Sequence, residues 1–135
     1  GRRRFAFTTK GGRHFATVSY REDDVLVFGA ETRGLPAAIL AGLQARHPMV
    51  GAVRSIGLFG VVELVKDRAT MEPLSPFGTV SPPMKQLSKL FRDNGLYTFV
   101  RFNMFFTNPP LSVSEADLRH GFDVIDRALT TLALG

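Results

Sequence analysis

Short runs of apolar and β-branched residues near the start of the chain predict two strands. Phe5–Thr9 ends at a lysine followed by two glycines, and Val25–Phe28 is a continuous apolar run that ends at Gly29, as buried strands do. Both runs are typical of strands that pair with each other, and a parallel arrangement is one option. Between them, Phe15–Tyr20 is either a further short strand or a loop that leads into an acidic turn.

Three helices are predicted from local start and stop signals. The first has Pro36 in its first turn and ends near His47, because the residue before a proline disfavours the α conformation. The second starts at Ser81-Pro82-Pro83 and stops at Asn94-Gly95. The third starts at the capping box of Ser114 and carries one apolar stripe. The stripe consists of Leu118, Phe122, Ile125, Leu129 and Leu132.

Further strands are predicted between the helices. Val53–Val65 is rich in β-branched and apolar residues punctuated by glycines, which indicates one long strand with a bend or bulge. Glu72–Gly78 is predicted to be a loop. Leu96–Phe102 and Met104–Thr107 are aromatic-rich strands that form a hairpin or a bent strand. The predicted fold is an α/β single domain of α+β-like, two-layer type, with a mixed sheet of about five strands covered by about three helices.

The composition narrows the function classes. With 135 residues, 44% of them hydrophobic, the chain can bury one core, and no apolar run reaches the roughly 20 residues that a membrane-spanning helix needs. The absence of cysteine excludes disulfides, thiolate metal sites and a cysteine nucleophile. The three histidines lack metal-ligand spacing and are interpreted as structural or surface residues. We therefore expect no metal site, no membrane contact and a cytoplasmic location.

Positive charge is concentrated in the first third of the chain. Up to His47 there are eight lysines and arginines against four acidic residues, whereas the rest of the chain is almost balanced. A basic surface attracts phosphate backbones with little regard to sequence, so weak nonspecific nucleic-acid binding is one interpretation. A solubilising surface is the other. The basic residues concerned are Arg2, Arg3, Arg4, Lys10, Arg13 and Arg21.

A glycine-containing segment connects the second strand to the first helix, with the sequence Phe28-Gly29-Ala30-Glu31-Thr32-Arg33-Gly34-Leu35-Pro36. Glycines at such a point let a ligand approach the backbone where helix amides point outward. Together with Arg4–Gly11, this string resembles the SPOUT superfamily of knotted methyltransferases, specifically those that methylate the wobble ribose of tRNA. The resemblance covers about residues 3–46 and implies a loop that binds S-adenosylmethionine. The implied cofactor-binding residues are Gly29, Glu31, Thr32, Arg33, Gly34 and Leu35.

The methyltransferase resemblance is incomplete. Ala30 stands where the family usually has proline, and the 135 residues contain no counterpart of the family's Asn-rich first motif with its implicated arginine. They also lack the Asn-Leu-Ser-Asn stretch that threads the family's knot, so we expect an unknotted fold without methyltransferase activity. The alternative for the loop is a connection between a strand and a helix that binds nothing.

From residue 47 onward the sequence changes character. Its most specific strings are Val53-Arg54-Ser55-Ile56-Gly57-Leu58-Phe59, Val62-Glu63-Leu64-Val65-Lys66-Asp67, Asn94-Gly95-Leu96-Tyr97-Thr98-Phe99-Val100-Arg101 and Asn108-Pro109-Pro110-Leu111. They resemble the carboxy-terminal small domain of class III aminotransferases, pyridoxal-phosphate enzymes that often act on ω-amino acids and pyruvate. The resemblance covers about residues 47–135 and implies that Arg101 binds a substrate carboxylate, for which a planar guanidinium is suited. An arginine that faces solvent or forms a salt bridge is the alternative.

The aminotransferase resemblance also lacks the catalytic groups. In that family the Schiff-base lysine, the carboxylate on the pyridine nitrogen and the phosphate site lie in the large domain, which has no counterpart here. Lys66, Lys85 and Lys89 match no Schiff-base motif and are interpreted as surface charges. We therefore expect neither a bound cofactor nor transamination, since a minimal aminotransferase would rest on Arg101 alone.

Two truncated resemblances favour a recombined or engineered chimera that folds but does not catalyse. Its single domain is divided into a methyltransferase-like segment, 1–46, and an aminotransferase-like segment, 47–135. The alternative is a residual module that binds RNA or S-adenosylmethionine. Because removal from former partners uncovers apolar surface, we expect self-association to a dimer. The residues predicted to cover that surface or to join the core are Phe102, Met104, Phe105 and Phe106.

The junction itself is shared by both resemblances. The methyltransferase family also has an Ile-Pro-Met strand followed by a Ser-Arg-Ser stretch at about this distance. Here His47-Pro48-Met49 and Arg54-Ser55 fill comparable places. The crossover is therefore predicted where the local strand-and-loop geometry of the two families agrees.

Overall fold

The computed structural model describes residues 3–7, 17–28, 35–110 and 112–133. These residues form three helices and seven strands. In chain order the elements are β1 (Arg4–Phe7), β2 (Val25–Phe28), α1 (Leu35–Arg46), β3 (Val50–Ile56), β4 (Phe59–Asp67), β5 (Glu72–Pro73), α2 (Pro82–Asp93), β6 (Val100–Arg101), β7 (Met104–Thr107) and α3 (Glu115–Ala133).

The three helices begin and end where the local signals predict. α1 starts one residue before Pro36 and stops just before His47. α2 is closed by Gly95, whose φ of 79° suits the left-handed end of a helix. At the start of α3, the Ser114 hydroxyl accepts the backbone N–H of Asp117 at 3.1 Å. This bond confirms the predicted cap.

The main sheet has five strands and is antiparallel, in the order β3-β4-β7-β6 with β5 paired to β4. The prediction of one long strand over Val53–Val65 was wrong. Gly57 adopts a φ of 58° and the chain reverses there, so this stretch is a hairpin of β3 and β4. The predicted loop over Glu72–Gly78 contributes the short strand β5. Of the two predicted alternatives for the aromatic-rich strands, the hairpin is confirmed by the pairing of β6 with β7. The first of these strands covers only Val100–Arg101 and not the predicted Leu96–Phe102.

The first two strands form a sheet of their own. β1 and β2 run parallel, with Arg4 opposite Val25 and Phe7 opposite Phe28. Both strands were predicted from their apolar runs, and parallel pairing was one of the arrangements that the sequence allowed. Together with the five-stranded sheet and the three helices, this arrangement confirms the predicted α+β-like, two-layer fold.

The hydrophobic core lies between the five-stranded sheet and the three helices. Alternate residues of β4 and β7, such as Val62 and Phe105, point into it and are fully buried. Phe105 contacts Phe91 of α2 edge-to-face, with ring centroids 5.2 Å apart. α1 contributes Leu40 and Leu43 to the same core. The last helix of the methyltransferase-like segment therefore packs inside the aminotransferase-like segment.

Candidate functional site

The predicted cofactor loop falls mostly outside the described residues. Gly29, Glu31, Thr32, Arg33 and Gly34 lie there, so their role stays a prediction. Leu35 is the first residue of α1, and β2 ends immediately before Gly29. The loop is therefore flanked by a strand and a helix, as the sequence predicts.

Arg101 lies on β6 and faces solvent. Its Cζ atom stands 4.8 Å from the centre of the Phe102 ring, a cation–π distance. Phe102 has a φ of 52°, which is unusual for a residue with a bulky side chain, and its ring lies 4.6 Å from that of Phe77. Among the described residues, no carboxylate forms an ion pair with Arg101. The guanidinium is stacked on an aromatic ring rather than directed into an enclosed site.

The three lysines that the structure describes do not fit pyridoxal phosphate. A Schiff-base lysine needs a neutral amine, which is favoured by burial or by a neighbouring cation. Lys66 and Lys89 are instead exposed and paired with Glu72 and Asp93, and Lys85 is exposed on α2. Their exposure agrees with the surface role predicted for them. No step of transamination can be assigned to these three side chains.

An apolar groove of about 340 Å³ opens between the start of α3 and the segment that leads into β6. Its apolar walls are formed mainly by Leu96, Phe106, Pro109, Val113, Leu118 and Phe122. Thr107 also lines the groove, and its hydroxyl is buried without a hydrogen-bond partner among the described residues. The groove suits apolar contacts, and Thr98, Asn108 and Asp117 add polar groups to its lining. No sequence signal indicated it, because its walls come from three separate parts of the chain.

One carboxylate ties the end of α1 to α3. Oδ1 of Asp126 lies 2.7 Å from Nε2 of the buried His47 and accepts hydrogen bonds from Nε and Nη2 of Arg46, at 3.1 and 2.9 Å. Partial burial raises the pKa of Asp126, but the bonds from His47 and Arg46 outweigh it and hold that pKa below its ordinary value. The structural role predicted for His47 agrees with this contact. Asp126 itself was missed, because its partners lie 79 and 80 residues away in sequence.

A further arginine closes the C-terminal end of α1. Nη2 of Arg68 donates to the backbone carbonyls of Gln44, His47 and Val50 at 2.6, 2.7 and 2.9 Å. The last carbonyls of a helix have no partner within it, and a cation there also opposes the helix dipole. Arg68 binds Gln44 before the predicted junction and His47 after it, and Asp126 binds Arg46 and His47. These hydrogen bonds connect the two segments across the junction.

The basic first third is partly neutralised. Arg3 forms two hydrogen bonds with the carboxylate of Asp24, at 2.8 and 2.6 Å. Burial raises the pKa of Asp24, but the bonds from Arg3 and from the backbone of Arg21 outweigh it and lower that pKa. Arg2, Lys10, Arg13 and the side chain of Arg4 lie outside the described residues. Arg21 is exposed, and it forms no salt bridge with the residues that the structure describes.

The residues that the structure describes contain neither a candidate metal site nor a membrane-spanning helix. Within them, no three histidine, aspartate or glutamate side chains lie close enough together to hold a metal ion. None of the helices described is long and apolar enough to cross a bilayer. A cytoplasmic location stays a prediction.

Different parts of the chain match different proteins, although no model of a known protein family matches it. The chain is 51% identical over 67 residues to tRNA (cytidine(34)-2'-O)-methyltransferase of Escherichia coli K12, which covers 47% of this chain and 43% of that protein. It is 40% identical over 96 residues to taurine–pyruvate aminotransferase of Bilophila wadsworthia, which covers 69% of this chain and 21% of that protein. The chain therefore spans less than half of either relative.

Matches of the aminotransferase type extend beyond the predicted junction. The solved taurine:2-oxoglutarate aminotransferase of Bifidobacterium kashiwanohense superposes with a TM-score of 0.71 at 30% identity, covering 76% of this chain and 23% of that one. Residues 47–135 make up about 66% of the sequence, so this superposition includes residues before the junction. Isoleucine 2-epimerase of Lentilactobacillus buchneri is 33% identical over 135 residues, covering 96% of this chain and 29% of that protein.

The two kinds of match also share residues. Because 47% and 69% together exceed the whole chain, the methyltransferase and aminotransferase matches overlap by at least 16% of its length. An overlap of this kind agrees with the predicted bridge at which the two families are alike. One region of the chain is thus similar to SPOUT-type tRNA (cytidine(34)-2'-O)-methyltransferases and another to class III aminotransferases, as expected of a chimera.

Proposed function

We propose that this chain is a recombined, natural or engineered, protein that folds as one unit and catalyses neither methyl transfer nor transamination. The observation that carries the proposal is the setting of Arg101. The only substrate-binding position implied by the aminotransferase resemblance is exposed and stacked on Phe102, and the described lysines are exposed. A chemical step would need a nucleophile or a general base held beside the substrate, and the described contacts of Arg101, with Phe102 and with β7, supply neither.

The contacts at the junction support the proposal that the chain folds as one unit. Asp126 and Arg68 hold the end of α1 with hydrogen bonds, and Leu40 and Leu43 place the same helix in the core. These contacts give a recombined chain a packed core across its join, which is the condition for cooperative unfolding. Binding and catalysis are not required to explain them.

The test is to unfold the purified 135-residue chain and to assay it for both parent activities. We expect one cooperative transition in urea, followed by circular dichroism and by tyrosine fluorescence. We expect no methyl transfer from S-adenosylmethionine to tRNA and no transamination of taurine with pyruvate in the presence of pyridoxal phosphate. Turnover that scales with protein concentration and survives repurification would contradict the proposal. Two separate unfolding transitions would contradict the proposal that the chain folds as one unit.

A residual binding module is the second candidate, and the 51% identity to a tRNA methyltransferase favours it. On this reading the loop from Gly29 to Leu35 retains affinity for S-adenosylmethionine, and the basic first third binds RNA weakly. Any RNA binding by the first third should be weak, because the ion pair with Asp24 neutralises the positive charge of Arg3. Labelled tRNA is titrated at low and at moderate salt beside an unrelated RNA of equal length. Equal affinity for both RNAs that is lost with salt would indicate generic electrostatics alone.

S-adenosylmethionine binding is measured separately, by calorimetry. The control is a variant with Glu31 and Thr32 both replaced by alanine. A wild-type signal that the variant lacks would support the module. Identical traces for the two proteins would remove this candidate.

A further inference from the structure

The five-stranded sheet has one face that turns away from the core, here called the outer face. Side chains alternate along β4 and β7, so Val62 and Phe105 point into the core whereas Val61 and Phe106 point to the outer face. Val61 lies opposite Phe106 in the register of the two strands. The helices contribute their buried side chains to the core, on the other side of the sheet.

Three phenylalanine rings form a row on the outer face, here called the aromatic row. Phe106 lies in the middle, and its ring centroid is 6.0 Å from that of Phe59 and 5.4 Å from that of Phe99. Phe59 is 46% exposed and Phe99 is 56% exposed. Neighbouring rings are tilted by 39° and 47°, so they do not stack face to face on one another. The aromatic row therefore offers accessible ring surface to a flat ligand.

Two arginines share this face with the aromatic row. Val53 and Val100 pack against the core, so the next residues along their strands, Arg54 and Arg101, point to the outer face. Arg54 forms a salt bridge with Glu63. Arg101 forms no salt bridge with the described part of the chain, so its guanidinium is available to an anion. The whole chain also carries a net charge of +5.

We propose that the outer face binds an unpaired stretch of nucleic acid, with bases stacked on Phe59 and Phe99 and a phosphate beside Arg101. Every nucleobase has a flat π-face, so stacking on an aromatic side chain does not require a particular base. A phosphate complements the charge and the planar fork of a guanidinium. A protein that covered the aromatic row with apolar side chains would instead bury the charge of Arg101 without a counterpart, which is costly.

This site differs from the residual binding module that is the second candidate function. That module uses the cations of the first third and the loop from Gly29 to Leu35, whereas the outer face is built by β3, β4, β6 and β7. The inference also goes beyond the proposed function, because it requires neither methyl transfer nor transamination.

Stacking is tested by removing the rings while keeping apolar bulk. A fluorescein-labelled oligouridylate of about 12 nucleotides is titrated with the purified chain at low salt, and fluorescence anisotropy gives the dissociation constant. The double variant Phe59→Leu, Phe99→Leu should raise this constant at least about tenfold, because each ring removed takes away one stacked base. Ile56→Ala should leave it unchanged, since Ile56 lies opposite Phe59, is 81% exposed and has no π-face. Circular dichroism checks that the variants fold.

Two further measurements separate stacking from charge. Arg101→Gln should lower the slope of log dissociation constant against log salt by about 0.7, the value for one phosphate contact on a single strand. The double leucine variant should keep the wild-type slope, because it removes no charge. Ring currents should shift the uridine base protons upfield in the NMR spectrum of the wild-type complex, and the double leucine variant should abolish this shift.

A duplex of equal length is the discriminating ligand, because its bases are already stacked on each other and cannot reach the aromatic row. The wild-type chain should bind it at least about tenfold more weakly than the single strand. Equal affinity for both would overturn the proposal, as would a single-strand affinity that the double leucine variant retains. Absence of oligonucleotide binding would also overturn it, and a wild-type dimer that the leucines dissociate would then identify the aromatic row as a protein contact.

Discussion

The two regions of this molecule are held together in different ways. From residue 35 onward, three helices and a five-stranded sheet enclose a core that runs from Leu40 to Leu129. The described part of the earlier region is a two-stranded parallel sheet, β1 and β2, fixed beside Arg3 by the carboxylate of Asp24. Two strands alone are marginally stable in water, whereas a sheet covered by helices buries enough apolar surface to stand by itself.

The packing of α1 does not follow the boundary between the two sequence resemblances. The sequence indicates a junction near residue 46, but α1 ends there and packs with the elements that follow it. Which elements form one packed unit depends on their buried apolar side chains, and not on the family that their sequence resembles. α1 therefore packs as one unit with the elements that follow it, even though it resembles the methyltransferase family.

The largest expected effect tests whether α1 belongs to the second region. Leu43 is fully buried, so Leu43→Ala should lower the free energy of unfolding by about 2–5 kcal/mol through lost burial and the cavity left behind. Val25→Ala, on β2 of the first region, should lower it by less than about 1 kcal/mol, since Val25 is partly exposed. Urea denaturation of both variants gives the comparison. Similar losses for the two, or a loss below about 1 kcal/mol at Leu43, would place α1 outside the core.

The next effect concerns close packing between α1 and the sheet. A Cβ atom added at Gly60 would lie 2.4 Å from Oγ1 of Thr107 and 2.8 Å from Cδ1 of Leu40. Gly60→Ala should therefore cost about 1–3 kcal/mol in thermal or urea unfolding. Gly42→Ala is the opposite control, because the nearest atom there is the flexible end of Arg46 and alanine favours a helix by about 1 kcal/mol.

A double variant separates this clash from other causes. Thr107→Ala removes the hydroxyl that the new Cβ would meet, so Gly60→Ala should cost less in that background. The same cost in both backgrounds would show that the loss arises from Leu40 or from the backbone. Either way, the result reports on contacts within the second region.

Some of this architecture could be predicted from sequence because its signals are local. Pro36, Gly95 and Ser114 mark helix ends through their own backbone preferences, and all three helices were located. The hairpin at Gly57 was missed, because a glycine within an apolar run indicates a bulge as readily as a turn. Gly57 is read correctly only when the pairing of β3 with β4 is known.

The candidate site was less predictable than the fold. Arg101 was located by resemblance, but its contact with Phe102 depends on a left-handed φ that the tertiary structure imposes. Asp126 carries no motif, and it becomes visible only when α3 lies against α1. Long-range pairs of this kind leave no local pattern in a single sequence.

A smaller effect is expected from the carboxylate that holds α1. Asp126→Asn removes the ion pair with Arg46 and weakens the bond to His47, at a cost of about 1 kcal/mol because the carboxylate is partly exposed. The pKa of Asp126 is lowered in the folded state, so its contribution is present above its unfolded pKa and is lost as the pH falls through the lower folded pKa. The wild-type chain should therefore lose stability below about pH 4.

The comparison between the wild-type chain and Asp126→Asn isolates this group. Urea midpoints measured between about pH 2 and pH 6 should converge at the acid end, because protonated aspartic acid resembles asparagine. A constant difference at every pH would assign the loss to packing. Arg119→Ala, which removes a cation of α3 that binds Glu115 rather than Asp126, should leave the pH dependence unchanged.

The smallest global effect is expected at the matching carboxylate of the first region. Asp24→Asn removes the charge that binds Arg3, beside the hydrogen bond from the Val25 N–H to the carbonyl of Arg3. Because β1 and β2 pair in a two-stranded sheet of their own, local opening should speed amide exchange at Val25 by roughly tenfold while leaving exchange in β4 unchanged. Hydrogen exchange followed by NMR measures both. If the amides of β4 also exchanged faster by the same factor, the ion pair of Asp24 with Arg3 would stabilise the whole fold and not the strand pair alone.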